Sequence, residues 1–81
     1  MRLLIVEDDD LVADAVARGL SAANFEVQRT GSAEAALAAL AAQEFDMAVI
    51  DIGLPGSDGL SLVRRLRSNG RALPALILTA R

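Results

Sequence analysis

Apolar and polar positions alternate in blocks along the chain, and the blocks change period. Leu3-Leu4-Ile5-Val6 is a short continuous apolar run. A strand covered on both faces of a parallel sheet has that pattern. Four acids follow at 7–10, and then Leu11, Val12, Ala15, Val16 and Leu20 recur at helical spacing. Asp9 or Asp10 is placed to cap this helix, because a carboxylate there accepts from the amides of the first turn. Phe25-Glu26-Val27-Gln28 alternates and predicts a second strand nearer an edge. Gly31-Ser32 breaks it. Ser32 then caps a helix reaching about Gln43, with Leu37 and Leu40 as its anchors and Glu34 in its first turn.

Met47-Ala48-Val49-Ile50 predicts a third strand that ends at Asp51. Gly53, Pro55, Gly56 and Gly59 mark a loop. Asp58 is placed to cap a helix carrying Leu62, Val63 and Leu66, with arginines 64, 65 and 67 on its wet side and Asn69-Gly70 at its end. Pro74 leads into a fourth strand, Ala75 to Thr79. The order β-α-β-α-β-α-β predicts one α/β unit: a parallel sheet with helices on both faces and right-handed crossovers.

Composition narrows the chemistry. The 81 residues carry net charge −3 and contain no cysteine and no histidine. A disulfide framework, a thiol nucleophile and an imidazole base are therefore excluded. All eight basic residues are arginine, so no lysine Schiff base or phosphate-loop lysine is present. An acidic chain with only two aromatic residues argues against direct contact with nucleic acid. No apolar run is long enough for a membrane span or a signal-peptide core, so the expected location is the cytoplasm, with no membrane partner.

The remaining chemistry is oxygen chemistry at strand ends. Glu7 and Asp8 follow the first strand, and Asp51 ends the third. Ligands of open α/β sheets bind outside the carboxyl ends of the strands, where strand order reverses. If the first and third strands are neighbours, the three carboxylates converge and repel, and a hard divalent cation relieves that repulsion. A small carboxylate set with open positions suits Mg²⁺ better than a closed Ca²⁺ cage. Asp9, Asp10 and Asp14 are read as caps or solvated residues. Aspartate can itself act as a nucleophile toward a phosphoryl group. Thr79, at the end of the fourth strand, offers a hydroxyl on the same side of the sheet. The run Gly53, Gly56, Gly59 matches neither dinucleotide nor P-loop spacing, so its glycines are read as serving the turn. The backbone carbonyl just after Asp51 is a natural extra ligand.

Three segments, Leu3-Leu4-Ile5-Val6-Glu7-Asp8-Asp9, Val49 to Gly59, and Leu78-Thr79-Ala80-Arg81, resemble the receiver domain of bacterial two-component response regulators. The D-x-x-L-P-x-x-x-G segment and the L-T-A-R ending look closest to the OmpR/PhoB type. The resemblance implies a flavodoxin-like (CheY-like) three-layer fold with strand order 2-1-3-4 in this chain. It implies that Asp51 is the phosphoacceptor and that Glu7, Asp8 and the Gly53 carbonyl join Asp51 around Mg²⁺. It makes Thr79 the switch hydroxyl and Pro55 and Gly59 shapers of the loop. The phosphodonor would be a sensor histidine kinase, and the chain would not be an enzyme in its own right.

The family's lysine has no counterpart here, and the pattern stops at a fourth strand. The expectation is a partial receiver over residues 1–81, without the fifth strand, the helices after strands four and five, or a DNA-binding output domain. Self-association through the fourth strand, or a swapped dimer, is expected from its open apolar edge. Two other readings stand beside this one. One is a receiver-like interaction module that is never phosphorylated. The other is an aspartate-nucleophile phosphatase, ranked last because Gly53 replaces the second acid of that family's D-x-D-x-T motif.

Overall fold

The computed structural model describes residues 1–51, 59–68 and 73–78, and of residues 59, 60 and 78 only the backbone. The elements run β1 (Arg2–Val6), α1 (Asp10–Ala22), β2 (Glu26–Thr30), α2 (Ala33–Ala42), β3 (Met47–Asp51), α3 (Gly59–Ser68) and β4 (Ala75–Leu78). The described strands form one parallel sheet in the order β2-β1-β3-β4.

The order and the handedness rule together explain the layers. The step from β1 to β2 goes one way across the sheet, and the steps to β3 and β4 go the other way. Right-handed crossovers then place α1 on one face and α2 and α3 on the opposite face. The packing agrees. Leu4, Val6, Ala48 and Ile50 share a core with Ala33, Ala36, Ala39 and Leu40 of α2 and with Leu62 and Leu66 of α3. Strand alternation turns Leu3, Ile5 and Val49 to the other face, where they are also buried. Each fully buried Leu or Ile contributes roughly 1.5–3 kcal/mol of transfer free energy. The two central strands therefore carry a large share of the driving force.

Helix ends follow local chemistry. Ser32 accepts from the Ala35 amide at 3.1 Å and caps α2, as expected. Asp9, not Asp10, is the α1 cap. The C-terminus of α1 closes through two bonds, Phe25 N–H to the Leu20 carbonyl at 3.1 Å and Asn24 N–H to the Ser21 carbonyl at 3.0 Å. This is a Schellman closure, which requires a left-handed residue, and Asn24 has φ 70°. The closure also moves the start of the second strand: Phe25 belongs to the turn, and β2 runs on to Thr30.

At the amino end of the sheet Arg2 ties three elements together. Its amide donates to the Asp46 carboxylate at 2.8 Å, and its guanidinium reaches Gln43 and Glu26. These groups are largely exposed, so the ties add geometry more than energy.

The apolar stripe of α1 is covered only in part, as expected for the face carrying Leu11 and Ala15: Val16 and Leu20 are half-buried beside Ala13, while Val12 and Ala15 are exposed. Ala13 is the only buried residue of that helix, while Leu11 is 83% exposed. On β4, Leu76 is 56% exposed, as expected for an edge strand.

An alanine at position 24 must adopt φ > 0 without the local hydrogen bonding that eases asparagine into it. Asn24→Ala is therefore expected to lower stability by about 1 kcal/mol, and Asn24→Gly to leave it equal or raise it. Urea unfolding of the three proteins checks this.

Candidate functional site

The site follows from strand register. Leu3, Leu4, Ile5 and Val6 of β1 face Met47, Ala48, Val49 and Ile50 of β3. One further step in the same register sets Glu7 opposite Asp51. On the other side of β1, Val6 faces Thr30 of β2. Direction across the sheet reverses between β2 and β3, so the carboxyl ends of β1 and β3 form the crevice where such sheets bind ligands.

Carboxylate oxygens of Glu7, Asp8 and Asp51 lie within 4.8 Å of one another. Glu7 and Asp51 are 4% and 1% exposed, and Asp8 is exposed. Two buried acids and one that reaches solvent make a site with a closed floor and an open mouth. Charges of one sign at this spacing repel by kilocalories even at an effective dielectric of about 20. The donor set is all oxygen and all anionic, and its open side leaves room for water. Those features fit a hard, partly hydrated divalent cation, and Mg²⁺ above a fully enclosed Ca²⁺.

The chain fixes these residues from several directions. The Glu7 amide donates to the Thr30 carbonyl at 3.0 Å, and the Thr30 hydroxyl donates to the Ile5 carbonyl at 2.9 Å. Thr30 thereby holds the end of β1 on both sides of Val6. The Glu7 carboxylate accepts from the Asp8 amide at 3.1 Å. Next to the site, Arg29 of β2 pairs with Asp10 and Asp14 of α1, and Arg18 pairs with Asp14. These arginines offset the charge of the helix's own acids at the surface.

Of the residues singled out from the sequence, Glu7, Asp8 and Asp51 come together. Asp9, Asp10 and Asp14 stay out of the cluster, as cap and surface ion pairs. Gly59 opens α3. Gly53, Pro55, Thr79 and the proposed cap Asp58 lie outside the described residues. Thr30 falls outside the strand that the alternation predicts, which ends at Gln28, whereas β2 runs to Thr30. Its position at the end of a strand just before the Gly31-Ser32 break was the available signal.

Fold and site define a class: a doubly wound α/β domain with a carboxylate triad at its switch point. The profile of the response regulator receiver domain matches residues 3–81. The two-component response regulator PhoP of Pseudomonas aeruginosa is 46% identical over the whole chain, which spans 36% of that protein. The transcriptional regulatory protein QseB of Haemophilus influenzae is 40% identical over the whole chain, which spans 37% of it. Among solved structures, the BeF3-activated N-terminal receiver domain of Klebsiella pneumoniae RstA superposes with TM-score 0.90 at 32% identity, covering 98% of this chain and 67% of that one. A response regulator receiver domain from Methanoculleus marisnigri gives 0.93 at 28% identity, covering 99% and 67%.

The chain belongs to the response regulator receiver family, and its relatives are of the OmpR/PhoB type. It spans about a third of the length of the curated relatives it matches. Among the described residues, no helix is long and apolar enough to cross a membrane.

Removing one of the three converging charges relieves repulsion in the metal-free protein. Asp51→Asn, which keeps the side-chain shape, is expected to raise the metal-free stability by on the order of 1 kcal/mol. Thermal unfolding in chelator checks it, and a fall in stability would contradict the electrostatic account of the triad.

Proposed function

We propose that this chain is the phosphoacceptor segment of a two-component response regulator, with Asp51 taking the phosphoryl group from a phosphohistidine of a sensor kinase. The observation that carries the reading is the convergence of Glu7, Asp8 and Asp51 at the carboxyl ends of β1 and β3. An oxygen of the Asp51 carboxylate attacks phosphorus. The P–N bond to the donor imidazole breaks, its electron pair goes to nitrogen, and the imidazole takes a proton from solvent if it leaves unprotonated. The product is an acyl phosphate on Asp51 and a free histidine on the kinase.

Glu7, Asp8 and Asp51 are the residues that would hold Mg²⁺, which supplies positive charge against the phosphoryl oxygens when bound. The chain's own share is placement. Burial of Asp51 limits the water around it. Exposed Asp8 gives the site its open mouth. The roles of the Gly53 carbonyl and the Thr79 hydroxyl, and of Pro55 and Gly59 in the loop, rest on motif alone. Phosphotransfer here is a switch and not a turnover, so the chain is read as a signalling module and not an enzyme, working in the cytoplasm.

Control of transcription is part of this reading because a relative of which this chain spans 37% is named as a transcriptional regulatory protein. Self-association through β4 is supported by the exposed apolar side chains of Leu76 and Ile77.

The test is intact-mass measurement after incubation with Mg²⁺ and acetyl phosphate, with light scattering on the same samples. The expected result is one phosphoryl adduct, absent in Asp51→Ala, with a mass in solution above that of one chain. An unmodified wild-type chain that still binds Mg²⁺ would contradict phosphotransfer and favour an interaction module. A single-chain mass at high concentration would contradict the β4 contact.

A further inference from the structure

Asp9 directly follows Asp8 in sequence, yet its carboxylate does different work. It is not one of the three acids that converge. Its Oδ1 accepts from the Leu11 amide at 2.9 Å and the Val12 amide at 3.3 Å, and its carbonyl accepts from the Ala13 amide at 2.9 Å. Its backbone is extended, with φ −85° and ψ 114°. The chain thus passes from β1 into α1 within residues 7–10, and each end of that passage is bonded. Glu7 is anchored by its amide on Thr30 and by burial. Asp9 is anchored on the first turn of α1. Asp8 stands between them, exposed, with its amide donating to the Glu7 carboxylate at 3.1 Å.

We propose that Asp9 is a positioning residue for the cation site. Its cap fixes where α1 begins, and thereby where the Asp8 carboxylate stands relative to Glu7 and Asp51. The inference rests on the reading that this triad binds a divalent cation. It makes the charge of Asp9 dispensable and its acceptor oxygen necessary. Asparagine and serine cap helices as well as aspartate, while alanine does not. Glycine is tolerated at a cap position with little loss of stability but has no side-chain acceptor. These four substitutions separate capping from charge and from global stability. Outer-shell groups that orient a metal ligand are typically worth a factor of about ten or more in affinity, and the cap would act on Asp8 in that role through the backbone.

The experiment is a calorimetric Mg²⁺ titration of the wild-type chain and of Asp9→Asn, Asp9→Ser, Asp9→Gly and Asp9→Ala. Each protein is also melted without metal. Asp9→Asn and Asp9→Ser are expected to keep the dissociation constant within about threefold. Asp9→Gly, and Asp9→Ala where it folds, are expected to weaken binding by on the order of tenfold. The loss in Asp9→Gly should come with a melting temperature close to that of the wild type. Wild-type affinity in Asp9→Gly would overturn the proposal and leave Asp9 a cap with no bearing on the site. A loss in Asp9→Asn and Asp9→Ser equal to that in Asp9→Gly would overturn it in favour of a charge effect. A wild-type chain that binds no Mg²⁺ would overturn the cation reading of the triad itself, and this inference with it.

Discussion

The parallel register of β1 on β3 is the constraint on which the rest depends. Both strands are buried on both faces, so their pairing is set by how Leu3 to Val6 and Ala48 to Ile50 pack against helices above and below. A slip of one residue would send each side chain to the opposite face and separate Glu7 from Asp51. The apolar run therefore does two things at once. It drives folding, and it delivers an acid at the carboxyl end of each of two neighbouring strands to the same crevice. Hydrophobic burial, which has no direction of its own, becomes a positioning device through strand alternation.

That delivery has a cost, and the fold accommodates it. Glu7 and Asp51 are buried acids beside a third carboxylate, an arrangement a sheet optimised for stability alone would avoid. The surrounding core is large enough to bear it, because several aliphatic side chains of β1, β3 and α3 are fully buried. Hydrogen bonds to Thr30, and from the Asp8 amide to Glu7, keep the acids in place. The three carboxylates could together hold a cation, and a bound cation would relieve their repulsion.

Much of this was legible in the sequence. The strand ends at Glu7 and Asp51, the Ser32 cap and the buried Leu62 and Leu66 followed from apolar blocks and cap chemistry. The order of strands did not follow from pattern alone; it came with the family resemblance, since periodicity is silent on which strands are neighbours. Two local features were hidden for physical reasons. Periodicity marks the apolar stripe of α1 but not which of its residues comes nearest the sheet, and there the small Ala13 is buried with Val16 and Leu20 half-buried beside it. Thr30 was hidden because its role arises only when β2 is laid beside β1.

The central claim is that folding alone assembles a cation site from three carboxylates. Its most direct test is the wild-type melting curve in MgCl2 against NaCl at matched ionic strength. A ligand that binds only the folded chain stabilises it by RT ln(1 + [L]/Kd), about 1.4 kcal/mol at ten times Kd. The account predicts a melting temperature that climbs with Mg²⁺ well beyond the NaCl control. Superimposable curves in the two salts would mean that the converging acids bind no cation, and would contradict it.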